Sequence, residues 1–211
     1  MKTLLSYHNN PELKSRFAAE IVKHRKADQI EQGHYGKENG EWKGCAVACS
    51  LRSLAILDGE ELKTEYSYHK DYEDKLGIPE WLAKLEDGIF EGLSVQELKT
   101  WPERFAKAIP VGANLEPVKW HFCSFILREN IERVLTLTIS DDLKKQLVNA
   151  IRGVLIIHEN AIKTGKWSVA RSVTSAAWSA ASAARSAESA ARSTAYSRYA
   201  DELLTILQNT K

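Results

Sequence analysis

The sequence predicts an all-α protein, a multi-helix bundle that carries a long Ala/Ser-rich C-terminal helix. Three observations lead there. Apolar residues recur at helical spacing through most of the chain, as in Leu13, Phe17, Ile21 and Val22. Strand-type alternation is confined to one short stretch, "VLTLTIS", and no second segment offers it a partner. From Ser168 to about Gln208 there is neither proline nor glycine, and Ser and Ala dominate residues 175 to 193.

The elements follow in order. Asn10 is an N-cap and Pro11 suits the first helical turn, so a first helix should run to about Gln32 and stop at Gly33. A glycine-rich loop, residues 33–44, comes next. From Gly44 or Cys45 the run "CAVACSLRSLAIL" is apolar enough for a buried helix, ended by Asp58 and Gly59. Tyr66, Tyr68 and Tyr72 lie in a charged, partly helical connector that closes on "LGIP". "PEWLAKLEDGIFEGL" then gives an amphipathic helix with Trp81, Leu82, Leu85, Ile89 and Phe90 on its apolar side. After the breaks "TWP" and "AIPVGANLEP", two substantial helices are expected, the second capped by Ser140 or Asp141 and stopped by Gly165.

In the tail, Trp178, Arg185, Arg192 and Tyr199 fall seven apart, as do Ser179, Ser186 and Ser193. This spacing describes a helical repeat of up to about 60 Å at 1.5 Å per residue. Its small-residue face would let a neighbouring helix approach closely. The domain reading is therefore a helical body, 1–165, and a long C-terminal helix, 166–211, packed on the body or on a partner subunit.

Composition narrows the function classes. The chain has 29 basic and 28 acidic side chains for a formal charge of +1, so no overall field for gripping duplex nucleic acid is expected. No apolar run reaches the roughly 20 residues of a membrane helix, and "MKTLLSYHNNPELK" is too short in apolar residues for a signal peptide. With three cysteines and no disulfide framework, a cytoplasmic protein with reduced thiols is predicted.

Chemistry concentrates in the glycine loop. Gly33, Gly36, Gly44 and their fellow at position 40 let the backbone approach a ligand, and the loop feeds directly into a helix N-terminus, where free N–H groups favour an anion. Gly44 and the amides of Cys45 and Ala46 would hold a phosphate. Lys37, Lys43 and His34 would neutralise it, and Trp42 or Tyr35 would stack on a base. Neither the Walker pattern nor G-x-G-x-x-G is present. The expected function is sequestration of a phosphate-bearing small molecule without turnover.

Two alternatives use other properties of the same chain. Cys45 at a helix start can act as a nucleophile with His34 as base, giving a thiol-dependent enzyme. The aromatic segment around Tyr66, Tyr68, Tyr72 and Trp81 instead suits a protein-binding inhibitor. A zinc site from Cys45, Cys49, His121 and Cys123 is not expected, since an i, i+4 cysteine pair in an apolar helix reads as two small buried hydrophobes. No cofactor is expected. His24, His69 and His158 stand alone in helical segments, while Glu86–Asp87 and Asp141–Asp142 read as helix-end features.

The blocks "KGCAVACS", "LGIPEWLAKLEDGIFEGL", "AIPVGANLEPV" and "IRGVLIIHE", with the Ser/Ala/Trp tail, resemble a widespread family of small bacteriophage and bacterial proteins over nearly the whole chain. Its members often carry glycine at the position of Ala48 and a shorter segment before the cysteine. The resemblance brings no catalytic motif with it. By analogy with phage proteins that hold cyclic nucleotides or ADP-ribose-type immune signals, it implies counter-defence in the cytosol of a bacterial host by a homo-oligomer.

Overall fold

Asn10 nucleates the first helix by accepting the amides of Glu12 at 2.9 Å and Leu13 at 3.2 Å on its Oδ1, with Pro11 in the first turn. In the computed structural model, which describes residues 4–33, 35–38, 41–60, 68–167 and 192–211, this helix is α1, Pro11–Lys26. It is followed by strands β1, Tyr35–Glu38, and β2, Glu41–Gly44, and by α2, Ala46–Asp58. Helices α3, Tyr68–Leu76, α4, Glu80–Phe90, α5, Val95–Leu98, and α6, Trp101–Ala108, come next. Helices α7, Val118–Thr136, α8, Asp141–Thr164, and α9, Arg192–Gln208, complete the described residues. The fold is all-α, as the sequence predicts, and no described helix is long and apolar enough to cross a membrane.

The chain forms two units. The first comprises residues 1–116 and 193–211, the second residues 117–192, so the division falls at Glu116 and not at residue 165. In the first unit α2 is the central element. Ala46 to Leu51 and Ser53 to Ala55 are all buried, the pattern of a helix with apolar neighbours on every side. It packs against α1, α3, α4 and α6. Leu203 and Leu207 of α9 are fully buried, and Asp201 pairs with Arg104 of α6 at 2.6 Å. The second unit is a helical hairpin in which Ile131 and Val134 of α7 meet Val148 and Ile151 of α8.

Two local expectations are revised and a third is met. The first helix ends at Lys26 rather than Gln32, because the chain turns at Asp28, with φ of 54°, to pair with β2. Gly44 donates its amide to the Gln29 carbonyl at 2.9 Å and accepts the Glu31 amide at 3.0 Å. The glycine loop is a two-stranded antiparallel hairpin in which Tyr35 faces Gly44 and Lys37 faces Trp42. "VLTLTIS" forms no strand, since α7 continues to Thr136 and Ser140 then caps α8. The repeat at residues 168–191, with Trp178, Ser179, Arg185 and Ser186, lies outside the described residues, as does Tyr66.

One turn aims α4. Gly77 has φ of 62°, and a Cβ there would stand 2.0 Å from the Leu5 carbonyl oxygen, so only glycine fits. The chain then enters α4 through Pro79, which brings Glu86 and Asp87 toward α2.

Candidate functional site

The buried start of α2 positions the site. Cys45 is its N-cap residue, in extended conformation at φ −65° and ψ 178°, and is 4% exposed. Burial, and then the Asp87 carboxylate, push its thiol up to about 12, outweighing the Ala48 and Val47 amides, which act in the opposite direction. The Cys45 sulphur and one carboxylate oxygen each of Asp87 and Glu91 lie within 4.8 Å of one another. Asp87 and Glu91 reach this point from α4 and its C-cap, one helical turn apart. His69 of α3 completes the cluster, its Nε2 standing 3.5 Å from Asp87 Oδ2.

The neighbouring segment is strapped to the same helix end. Gln32 Nε2 donates to the carbonyls of Phe90 at 2.9 Å and Leu93 at 3.1 Å, and the Gly33 amide donates to Glu91 Oε1 at 3.3 Å. Beneath the cluster, Glu86 is 1% exposed and receives the Tyr72 hydroxyl on Oε2 at 2.8 Å. Burial raises its carboxyl to about 8; the Tyr72 hydrogen bond lowers it and Asp87 raises it further. Tyr72 itself is pushed up, by burial first and by Glu86 second. Asp87 Oδ1, His69 Nε2 and Glu86 Oε1 are buried atoms without a hydrogen-bond partner among the described residues. Buried polar atoms are ordinarily paired, so this concentration marks a place built for something other than packing.

The residues singled out by sequence are distributed differently. Cys45 joins the cluster, and Gly33 touches it through Glu91. Ala46 is fully buried. Trp42 is 8% exposed, with the Arg52 guanidinium 4.4 Å from its ring centroid and the His24 ring at 5.3 Å, so protein groups already occupy its faces. Lys43 pairs with Glu31 at 2.8 Å. Both backbone groups of Gly44 are engaged, and a Cβ there would meet Trp42 at 2.7 Å and Ala48 at 2.8 Å. This glycine therefore serves close packing of Trp42 over α2. The backbones of Tyr35, Gly36 and Lys37 are paired in β1, while His34 lies outside the described residues.

Sequence reasoning overlooked His69, Asp87, Glu91, Glu86 and Tyr72 as partners of Cys45. One signal was available in "KLEDGIFEG": Glu86 falls four residues after Leu82 and four before Phe90, in the middle of the apolar stripe. Cys49, by contrast, hydrogen-bonds the Gly44 carbonyl at 3.4 Å, and its thiol is pushed up chiefly by burial.

What fold and site define together is an all-α protein with a thiol–carboxylate–imidazole cluster at the start of its central helix. Comparison with family models, with curated proteins and with solved structures gives no match for this chain.

Proposed function

We propose that the protein is a thiol-dependent enzyme in which Cys45 is the nucleophile. The observation that carries this reading is the alignment of Cys45, Asp87 and His69, drawn from three separate helices onto the amino-terminal end of α2. A thiol in that position gains from the helix dipole once it is ionised. Asp87 stands between thiol and imidazole, so the proton leaving Cys45 would pass by way of the carboxylate to His69. The thiolate then attacks an acyl carbon, the leaving group departs with that proton, and water hydrolyses the thioester to release acid and restore the thiol. The side chains of His69 and Asp87 are 29% and 30% exposed, and a substrate would approach from their side of the cluster.

The sequestration reading draws on the same helix end. There an anion would meet the carboxylates of Asp87 and Glu91, while Lys43 is paired with Glu31 and Trp42 is covered by Arg52 and His24. These charges disfavour an anionic ligand at this helix end.

Incubation with a panel of activated esters and thioesters, followed by peptide mass spectrometry, tests the proposal. An acyl adduct on Cys45 is expected in the native protein and none in Cys45→Ser. Acylation of His69→Ala should be slower by about 10²-fold or more. An unmodified Cys45 across the panel, in protein that binds a cyclic nucleotide or ADP-ribose derivative and returns it intact, would restore sequestration as the better account.

A further inference from the structure

The turn between α1 and β1 rests on a histidine that the proposed thiol chemistry does not use. His24, in the last turn of α1, is 4% exposed, and its Nδ1 stands 2.8 Å from Gln29 Oε1. Gln29 in turn accepts the Gly44 amide on its backbone carbonyl at 2.9 Å, and Gly44 immediately precedes Cys45. The His24 ring also lies 5.3 Å from Trp42 of β2, whose indole carries the Arg52 guanidinium of α2 at 4.4 Å. His24 Nε2 and Arg52 Nη1 are buried atoms without a hydrogen-bond partner among the described residues, and no carboxylate there forms an ion pair with Arg52.

We propose that His24 is an acid-sensitive latch: protonation of its imidazole frees Trp42 and lifts β2 from the start of α2. An imidazolium would place its second N–H where no acceptor stands, and would add a positive charge beside Arg52. Burial is the largest effect on the ring and holds it below its ordinary value. The Gln29 hydrogen bond and the Glu20 carboxylate act in the opposite direction, but Arg52 and Lys23 reinforce burial. Trp42 brings no charge, and Glu103, which α6 turns toward α1, is taken by Arg25 at 2.7 Å. The closed form therefore keeps His24 neutral, and acid draws the chain toward an open form in which the ring meets water. Cys49 reports the opening. It is fully buried against the same turn, its Sγ 3.4 Å from the Gly44 carbonyl oxygen and 3.8 Å from that of Gln29.

The latch uses none of the residues assigned to thiol chemistry, so each proposal stands or falls alone. The full chain is labelled between pH 7.5 and 5.5 with dithiodipyridine, which reacts with thiols in mild acid, and the modified Cys49 and Cys123 peptides are quantified by mass spectrometry. Relative to the unfolded chain at each pH, Cys49 labelling should quicken about tenfold on acidification, because an open-form imidazole at its ordinary 6.5 is neutral at one limit and charged at the other. Cys123, in the second unit, should show no comparable rise. His24→Gln should remove the Cys49 response. Labelling of Cys49 that is flat with pH, that rises in parallel with Cys123, or that rises as steeply in His24→Gln overturns the latch. If His24→Gln labels fully at every pH, an NMR titration of the His24 ring in the native protein decides: a midpoint below 6.5 supports the latch, and one at or above it overturns it.

Discussion

Two helix pairings in this protein solve the burial problem in opposite ways. In the second unit α7 and α8 close over Ile131, Val134, Val148 and Ile151, and their ion pair, Arg128 with Glu159, stays at the surface. In the first unit α2, α3 and α4 enclose Cys45, Cys49, Tyr72 and Glu86. Aliphatic packing would have served equally there, since Leu82 and Phe90 flank Glu86 on the same stripe and are fully buried themselves. The hairpin thus displays what stability alone selects, and the α2–α4 region departs from it where chemistry is needed.

The comparison is tested most strongly by pH. Glu86 is held at about 8 in the folded protein, above its ordinary value of 4.5. Between those values the unfolded chain has released a proton that the folded chain keeps, so stability is fully present below 4.5 and falls as pH rises toward 8. In the part of that window above the ordinary imidazole range, urea unfolding should show a negative slope approaching about 1.4 kcal/mol per pH unit. Glu86→Gln should flatten it; a slope that survives would assign the effect elsewhere.

The hairpin should answer chiefly to volume. Ile151→Ala is expected to cost about 2–4 kcal/mol in urea unfolding, with little change between pH 5 and 8. A smaller loss, about 1–3 kcal/mol, is expected for Gly44→Ala, because the new methyl must displace Trp42 or Ala48. A Gly44→Ala protein as stable as the native one would mean that this glycine serves a ligand and not packing. Tyr72→Phe should cost roughly 1 kcal/mol by removing the hydroxyl from Glu86, and a thermal melt resolves it.

The smallest effect belongs to His158 in α8, whose pKa burial lowers. As pH falls below the ordinary imidazole range the unfolded chain takes up the proton first, so the hairpin weakens on acidification. Faster amide exchange along α8 at pH 5.5 than at pH 7, lost in His158→Gln, would show it.

How much of this the sequence discloses depends on the range of the interaction. Local signals are legible: the Asn10 cap, Gly59 and Gly165 as helix stops, and the apolar run of α2. The hairpin of β1 and β2 is not, because strands of four residues carry too little alternation and Gly44 is specified by Trp42 and Ala48. Cys45 stands out as a thiol at a helix start. Its partners do not, because His69, Asp87 and Glu91 lie 24, 42 and 46 residues further on, and only the packing of α3 and α4 on α2 brings them together. Glu86 was the readable exception, a charge where the stripe demands a hydrocarbon.

The chain leaves the first unit at Glu116 and comes back to it at Ser193. During synthesis the thiol cluster is therefore translated well before α9, whose Leu203 and Leu207 are fully buried in the finished unit. At ribosomal speeds of about 5–20 residues per second, the interval lasts on the order of 5–20 s. Through that delay Arg104 of α6 waits without Asp201, the partner that α9 brings to it.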